Sequence, residues 1–287
     1  MGTFDGVHLG HRKIINMAVD LAKRNKTISV VLTFDPHPQQ FIVPERGLRL
    51  LTSISERISL LSKMNVDVLV IIKFDKSIQT LTYEKFIKKI IVGKLKAKAV
   101  CVGYDFAFGR ERSGNIDILN KLANKLGFSV YVKKPVKVGN MIVKSSLIRQ
   151  MISFGEFKEA VKMLCHPYRL IGRVVRGYGR GSKLGFPTAN IDVDKHKLIP
   201  AHGVYSCRVN IGTKKFKGVV NIGSRPTFAD GHIAIEVYII NFSGNIRNKT
   251  LRADLVSRLR PEIQFSDVED LKNQIKRDID KAKRILS

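Results

Sequence analysis

Hydrophobic and polar positions follow two regimes along this chain. In the first half, short apolar runs alternate with stretches of helical spacing. Residues 28–34, 68–74, 99–102 and 128–132 read as buried strands. Between them, residues 53–64, 83–91 and 115–126 repeat their apolar positions every three or four residues and read as helices. Ser53 and Glu56 give the first of these a capping-box start. Ahead of them all, Ile14, Ile15, Ala18, Leu21 and Ala22 form one amphipathic stripe. The alternation predicts a parallel sheet covered by helices.

Helical pattern continues through residues 147–164, and His166-Pro167 breaks it. The second half is strand-like: residues 170–175, 204–209, 216–222, 233–240 and 251–259 are β-rich, with turn residues between them, which predicts an antiparallel barrel or sandwich. One helix closes the chain, with a capping box from Ser266 and Glu269 and an apolar stripe of Val268, Leu271, Ile275, Ile279 and Ala282. Two domains are expected, 1–164 and 165–287.

Composition narrows the class. The 287 residues are 44% hydrophobic, and no apolar run approaches the length of a membrane span. The first residues are polar and Gly-rich, unlike a secretory leader. Cys101, Cys165 and Cys207 are odd in number and far apart, a pattern that fits a reducing cytoplasm without disulfides. The net charge is +27, from 51 basic and 24 acidic residues, which makes polyanions the first partners to consider. The lysines are dispersed and no basic tail exists, so a solvated basic face or a nucleotide substrate accounts for the charge as well as nucleic acid does.

Five segments carry chemistry. Residues 2–11 read G-T-F-D-G-V-H-L-G-H, with His8 and His11 where a Gly-rich loop feeds a helix N-terminus. Such a turn offers free backbone N–H groups and a positive dipole end to phosphates, and two imidazoles there can donate to a phosphoryl group as its charge grows. A pair of solvated histidines is the plainer reading. T-F-D-P-H-P at 33–38 stiffens a loop at the C-terminal end of the candidate strand 28–34, where parallel sheets bind ligands. His37 is equally a loop residue without a role. V-G-Y-D-F-A-F-G at 102–109 presents Asp105, either for a ribose or amine or as a turn cap. Ser145, Ser146 and Arg149 open a helix as a pyrophosphate cradle or as an ordinary N-cap. The segment 172–190, G-R-V-V-R-G-Y-G-R-G-S-K-L-G-F-P-T-A-N, places glycines at 177, 179, 181 and 185, suited to wrap phosphates or to serve as a flexible RNA-binding loop. The Thr188 hydroxyl and Asn190 amide oxygen are hard ligands suited to Mg²⁺.

Together the first four segments resemble the prokaryotic FAD synthetase domain, a nucleotidyltransferase whose motifs run in this order. The fourth departs from the family, with Lys144 in place of the usual serine and Ser146 in place of threonine. The fifth resembles riboflavin kinase, as do Gly203-Val-Tyr205, the N-I-G-S-R-P-T-F run at 221–228, Glu236 within 235–242 and the L-R-P-E run at 259–262. The resemblance covers almost the whole chain in the domain order of bifunctional riboflavin kinase/FAD synthetase. It implies a Rossmann-like nucleotidyltransferase domain followed by a riboflavin-kinase-type antiparallel β-barrel with a closing helix.

The activities implied are phosphorylation of riboflavin to FMN and adenylyl transfer from ATP to FMN, giving FAD, with Mg²⁺ in both sites. In the kinase, Glu236 is the expected base and Thr188 and Asn190 the metal ligands. Gly177, Gly179, Gly181, Lys183, Gly185, Pro187 and Thr188 are expected on ATP, and Arg260 on flavin. In the synthetase, His8 and His11 are the expected catalytic pair. Gly2, Phe4, Gly10, Ser145, Ser146 and Arg149 are expected on phosphates, and His37, Pro38 and Asp105 on flavin or nucleotide. The family's first motif follows an apolar strand, whereas only Met1 precedes Gly2 here. The expectation is that this strand is lacking and that FAD synthesis is impaired while FMN synthesis persists. No specific nucleic acid and no membrane is expected as a partner. Two other classes stay open: a riboflavin kinase with a degenerate first domain, and a basic RNA-binding protein with a nucleotidyltransferase-like fold.

Overall fold

A computed structural model of the chain describes residues 1–177, 179–224 and 233–287, with backbone alone at Arg180 and Lys183. It divides into two compact units, Met1–Ser145 and Ser146–Ser287.

The first unit contains two parallel strand pairs. Strand β1 (Val30–Asp35) pairs with β2 (Val68–Lys73), and β3 (Ala99–Gly103) pairs with β4 (Ser129–Lys133). Between β1 and β3 lie the first two residues: Gly2 N–H donates to the Leu32 carbonyl at 3.1 Å, and the Met1 ammonium donates to the Cys101 carbonyl at 3.3 Å. Successive residues of β1 face opposite ways. Val31 joins a cluster with Phe4, Val7, Ile15, Val19, Leu60 and Leu61, and Leu32 joins one with Ile87, Ile91, Val100, Val102 and Leu119. The unit therefore has two apolar layers under its helices. A small hairpin, β5 (Lys137–Val138) with β6 (Met141–Ile142), ends it.

In the second unit, β7 (Tyr168–Val175), β8 (Thr188–Val193), β9 (Gly203–Ile211), β10 (Lys214–Ser224), β11 (Ile233–Ile239) and β12 (Thr250–Arg260) close into an antiparallel barrel, ordered β10-β11-β8-β7-β12-β9. The closing helix Val268–Ile285 lays Ile275, Ile279 and Ala282 on Val204, Val219 and Leu259 of the wall. Arg260 Nε donates to Asp278 on that helix at 2.9 Å, clamping it to the end of β12.

Several local expectations need correction. β2 and β4 are not buried strands: Val68, Ile71, Tyr131 and Val132 are each 39–40% exposed, because among the described residues each strand has a neighbour on one side only. The helix expected over 83–91 is α-helical only at Tyr83–Phe86, then continues as a π-helix over Ile87–Lys94. The closing helix is capped by Asp267, whose carboxylate accepts from Glu269 N–H, and not by Ser266. The continuous pattern over 147–164 is two helices, Ser145–Phe154 and Phe157–Leu164. Gly155 separates them at φ 83°, and a side chain there would meet the Arg258 guanidinium. The capping box at Ser53 and Glu56 forms in full.

Candidate active sites

The loop before the helix Leu9–Arg24 is wound tightly. Phe4, Gly6 and Val7 all have positive φ, at 50°, 83° and 39°. A non-glycine residue in that region is strained and persists only when its surroundings hold it. Here the Asp5 carboxylate does so, buried and accepting from Leu51 N–H, Thr52 N–H and the Thr52 hydroxyl at 3.0–3.1 Å. Gly6 N–H donates to the same Thr52 hydroxyl oxygen at 2.9 Å. Ser145, at the start of the helix Ser145–Phe154, donates its hydroxyl to the Asp5 carbonyl at 2.9 Å.

The loop delivers two histidines to one helix N-terminus. His8 is the N-cap, its Nδ1 accepting from His11 N–H at 3.2 Å. An accepting nitrogen carries no proton, so this bond assigns the His8 ring proton to Nε2. The two imidazoles stack at 3.5 Å between centroids and 17° between planes. Gly10 makes room for this, since a Cβ there would lie 3.1 Å from the His8 ring. Phe4, expected on phosphates, is 2% exposed and lies in the core, with its ring edge-on to His11 at 5.3 Å.

His37 and Pro38 follow β1. His37 is buried and caps the short helix Pro38–Ile42, its Nδ1 accepting from Gln39 N–H at 3.2 Å. Asp105 is exposed beyond the C-terminal end of β3. There Gly103 leaves space for Ile14 of the first helix, 3.3 Å from where its Cβ would be. Tyr104, and then Asp105, hold the Lys144 ammonium above the usual lysine range, and its Nζ lies 5.5 Å from the Tyr104 ring. The family departure at Lys144 thus sets a cation beside the Asp105 loop. Ser146 is exposed on the first turn of its helix, and Arg149 is half-buried one turn on.

In the second unit, strand register builds the site. Thr188 lies opposite Tyr238, Asn190 opposite Glu236, and Glu236 opposite Asn221 of β10. Directly paired residues share a face, so Thr188, Asn190, Glu236 and Asn221 present one polar row across three strands. The Gly-rich segment folds against it. A Cβ at Gly177 would collide with the Asn190 side chain, and one at Gly181 would lie 3.2 Å from the Thr188 hydroxyl. Gly179 and Gly185 take φ of 70° and 87°, flanking a short helix at Arg180–Lys183. Phe186 stands edge-on to Tyr238 at 6.0 Å. Pro187 is exposed between Phe186 and the strand. The Lys183 side chain and residues 225–228 of the quoted N-I-G-S-R-P-T-F run lie outside the described residues.

Arg260, expected on flavin, already binds Asp278 through Nε and the Pro261 carbonyl through Nη1. Among the described residues no three of His, Cys, Asp and Glu gather as a metal cluster. The Thr188 hydroxyl and the Asn190 amide oxygen nonetheless suit Mg²⁺, which takes few protein oxygens and completes its shell with phosphate and water. Sequence reading passed over Asn221, Thr52 and Arg57. Asn221 stood inside a quoted motif. Thr52 and Arg57 flank the capping box and looked like ordinary surface polar residues.

Comparison with known proteins agrees with both halves. The family model for FAD synthetase matches residues 1–147, and the model for riboflavin kinase matches residues 164–286. The bifunctional riboflavin kinase/FMN adenylyltransferase of Buchnera aphidicola subsp. Schizaphis graminum is 35% identical, over 99% of this chain and 92% of its own. Its namesakes from Haemophilus influenzae and Escherichia coli K12 are each 32% identical, over 99% and 97% of this chain and 92% and 89% of theirs. A crystal structure described as a macrolide-efflux protein from Streptococcus pneumoniae superposes with a TM-score of 0.90 at 29% identity, covering 99% of this chain and 92% of that one. No helix among the described residues is long and apolar enough to cross a membrane. With two domain families matched in order and relatives aligned over nearly their full length, the chain belongs to the family of bifunctional riboflavin kinase/FMN adenylyltransferases.

Proposed function

We propose that residues 165–287 make FMN and residues 1–164 convert it to FAD, each with ATP. The kinase reading rests on the polar row. The riboflavin 5′-oxygen attacks the γ-phosphorus of ATP, the bond to the β–γ bridging oxygen breaks, and ADP leaves. Alcohols are weak nucleophiles, so Glu236 accepts the hydroxyl proton. Thr188 and Asn190 are suited to hold Mg²⁺, which when bound neutralises phosphate charge. The segment 177–185 covers the phosphates with backbone N–H groups.

Adenylyl transfer needs no strong base, because the FMN phosphate is already anionic. Its oxygen attacks the α-phosphorus, and pyrophosphate leaves. The protein supplies alignment and charge stabilisation. His8, donating through Nε2, and His11 serve the α-phosphate, with Ser145, Ser146, Arg149 and Lys144 toward the leaving pyrophosphate. His37, Pro38 and Asp105 are assigned to flavin or nucleotide. We place the functional boundary at 164/165.

The deciding experiment incubates the chain with riboflavin, ATP and Mg²⁺ and separates the products. FMN and FAD are expected together. FMN alone would support a kinase with a silent first unit, and neither product would sink the reading.

A further inference from the structure

None of the steps above uses Arg57, although its side chain is fully buried beside the adenylyl-transfer loop. It stands on the helix Ile54–Leu61, and a single nitrogen, Nη1, donates to three oxygens. These are the Thr3 carbonyl at 2.9 Å, the Thr33 hydroxyl at 3.1 Å and the Phe34 carbonyl at 3.1 Å. The Thr33 hydroxyl donates in turn to the Thr3 carbonyl at 3.0 Å. Thr3 belongs to the loop that ends in His8, while Thr33 and Phe34 lead into His37. One cation therefore joins two segments about thirty residues apart, each carrying groups assigned to the reaction. Burial lowers the Arg57 pKa, with Asp5 and then Asp35 opposing that effect. An apolar residue of similar volume is often no worse for stability than a buried charge, so folding alone gives little reason for a guanidinium here.

We propose that Arg57 is a positioning residue for adenylyl transfer, setting the separation between the His8–His11 pair and the His37 loop. It touches neither histidine in the described contacts and acts through the backbone of both segments. The inference rests on assigning the His8–His11 loop to adenylyl transfer.

The test uses the full chain with Arg57→Met, Arg57→Lys and His11→Ala. FAD formation from FMN is measured as separate kcat and KM values, riboflavin phosphorylation is the internal control, and melting is followed for each variant. Misplacement by an ångström costs on the order of 100-fold in rate. Arg57→Met should therefore lower adenylyl-transfer kcat by about 10- to 100-fold, with both KM values within about threefold and FMN production unchanged. Lysine offers three donors to the same three oxygens, so Arg57→Lys should recover most of the lost kcat. A folded Arg57→Met with parental kcat overturns the proposal, as does an equal fall in both activities or a failure of lysine to rescue. If Arg57→Met abolishes the melting transition of the first unit, Thr33→Val decides: reduced kcat at unchanged KM supports the proposal, and unchanged kcat overturns it. If His11→Ala leaves FAD formation intact, the loop assignment falls and the inference with it. Loss of FAD formation in His11→Ala beside a fully active Arg57→Met removes the inference alone.

Discussion

Exchanging Glu236 for glutamine preserves the shape of its strand position and removes its capacity to take a proton. Cross-strand pairing with Asn190 and Asn221 persists, so ATP affinity should stay within about threefold, while the loss of the proposed general base should lower FMN turnover by about 10²–10⁴-fold. Wild-type turnover in that variant would exclude Glu236 as the base. A second residue-scale expectation concerns pH. Tyr205 is buried, donates to the Ala201 carbonyl, and has its pKa raised by burial from 10.0 to about 12, with Arg258 opposing. A phenol that ionises later in the folded state than in the unfolded state binds its proton more tightly when folded. Its stabilisation is whole below pH 10 and is lost as pH rises through 10 to about 12. Melting of residues 146–287 across that window should fall more steeply for the parent than for Tyr205→Phe, and equal slopes would refute it. At this scale the motifs marked His8, His11, Asn190 and Glu236 as candidates, and the structure places His8 against His11 and Asn190 opposite Glu236. Arg57 was not marked, because its meaning lies in a contact between segments that only folding brings together.

Elements decide how the second unit must be cut. The boundary expected from the His166-Pro167 break suggests that a fragment beginning near Leu164 will fold and make FMN. Two helices upstream of that point belong to the same compact unit, however. Phe157 packs edge-on against Tyr168 at 6.3 Å and Tyr205 at 5.2 Å, and the Ile152 carbonyl accepts from Ala201 N–H at 3.1 Å. Removing Phe157 alone is comparable to a core Phe→Ala change, which costs about 3–5 kcal/mol against a domain total of about 5–15 kcal/mol. Residues 146–287 should therefore unfold at distinctly higher denaturant than residues 164–287. Equal midpoints would show that these helices add nothing to the barrel. Strand and helix existence was readable from periodicity, but their partners were not. The start of β8 was hidden inside a Gly-rich motif, and the packing of the helix Phe157–Leu164 depends on aromatic rings on distant strands.

For the whole molecule, the +27 charge is the dominant long-range property. It should draw polyanions, nucleic acid included, through counterion release, without a reading element to select sequence. Binding to duplex DNA or RNA should be detectable at about 50 mM salt, fall steeply by about 200 mM, and show no sequence preference. Tight, selective binding at the higher salt would overturn this. Fold class and domain order could be read from the sequence, because apolar period changes at Pro167. The split of the first unit's strands into two pairs could not, since pairing partners leave no local signature.

The two units also differ in how they end their sheets. The barrel closes on itself and leaves no open edge. In the first unit β2 and β4 expose Val68, Ile71, Tyr131 and Val132, and each pairs on one side only among the described residues. Such edges are templates for self-association, and the charge of +27 on each copy opposes it. Salt therefore acts on shelf life as well as on binding. Raising it screens the repulsion and lets copies meet edge to edge, so turbidity on warming should begin in the first unit and set in earlier as ionic strength rises.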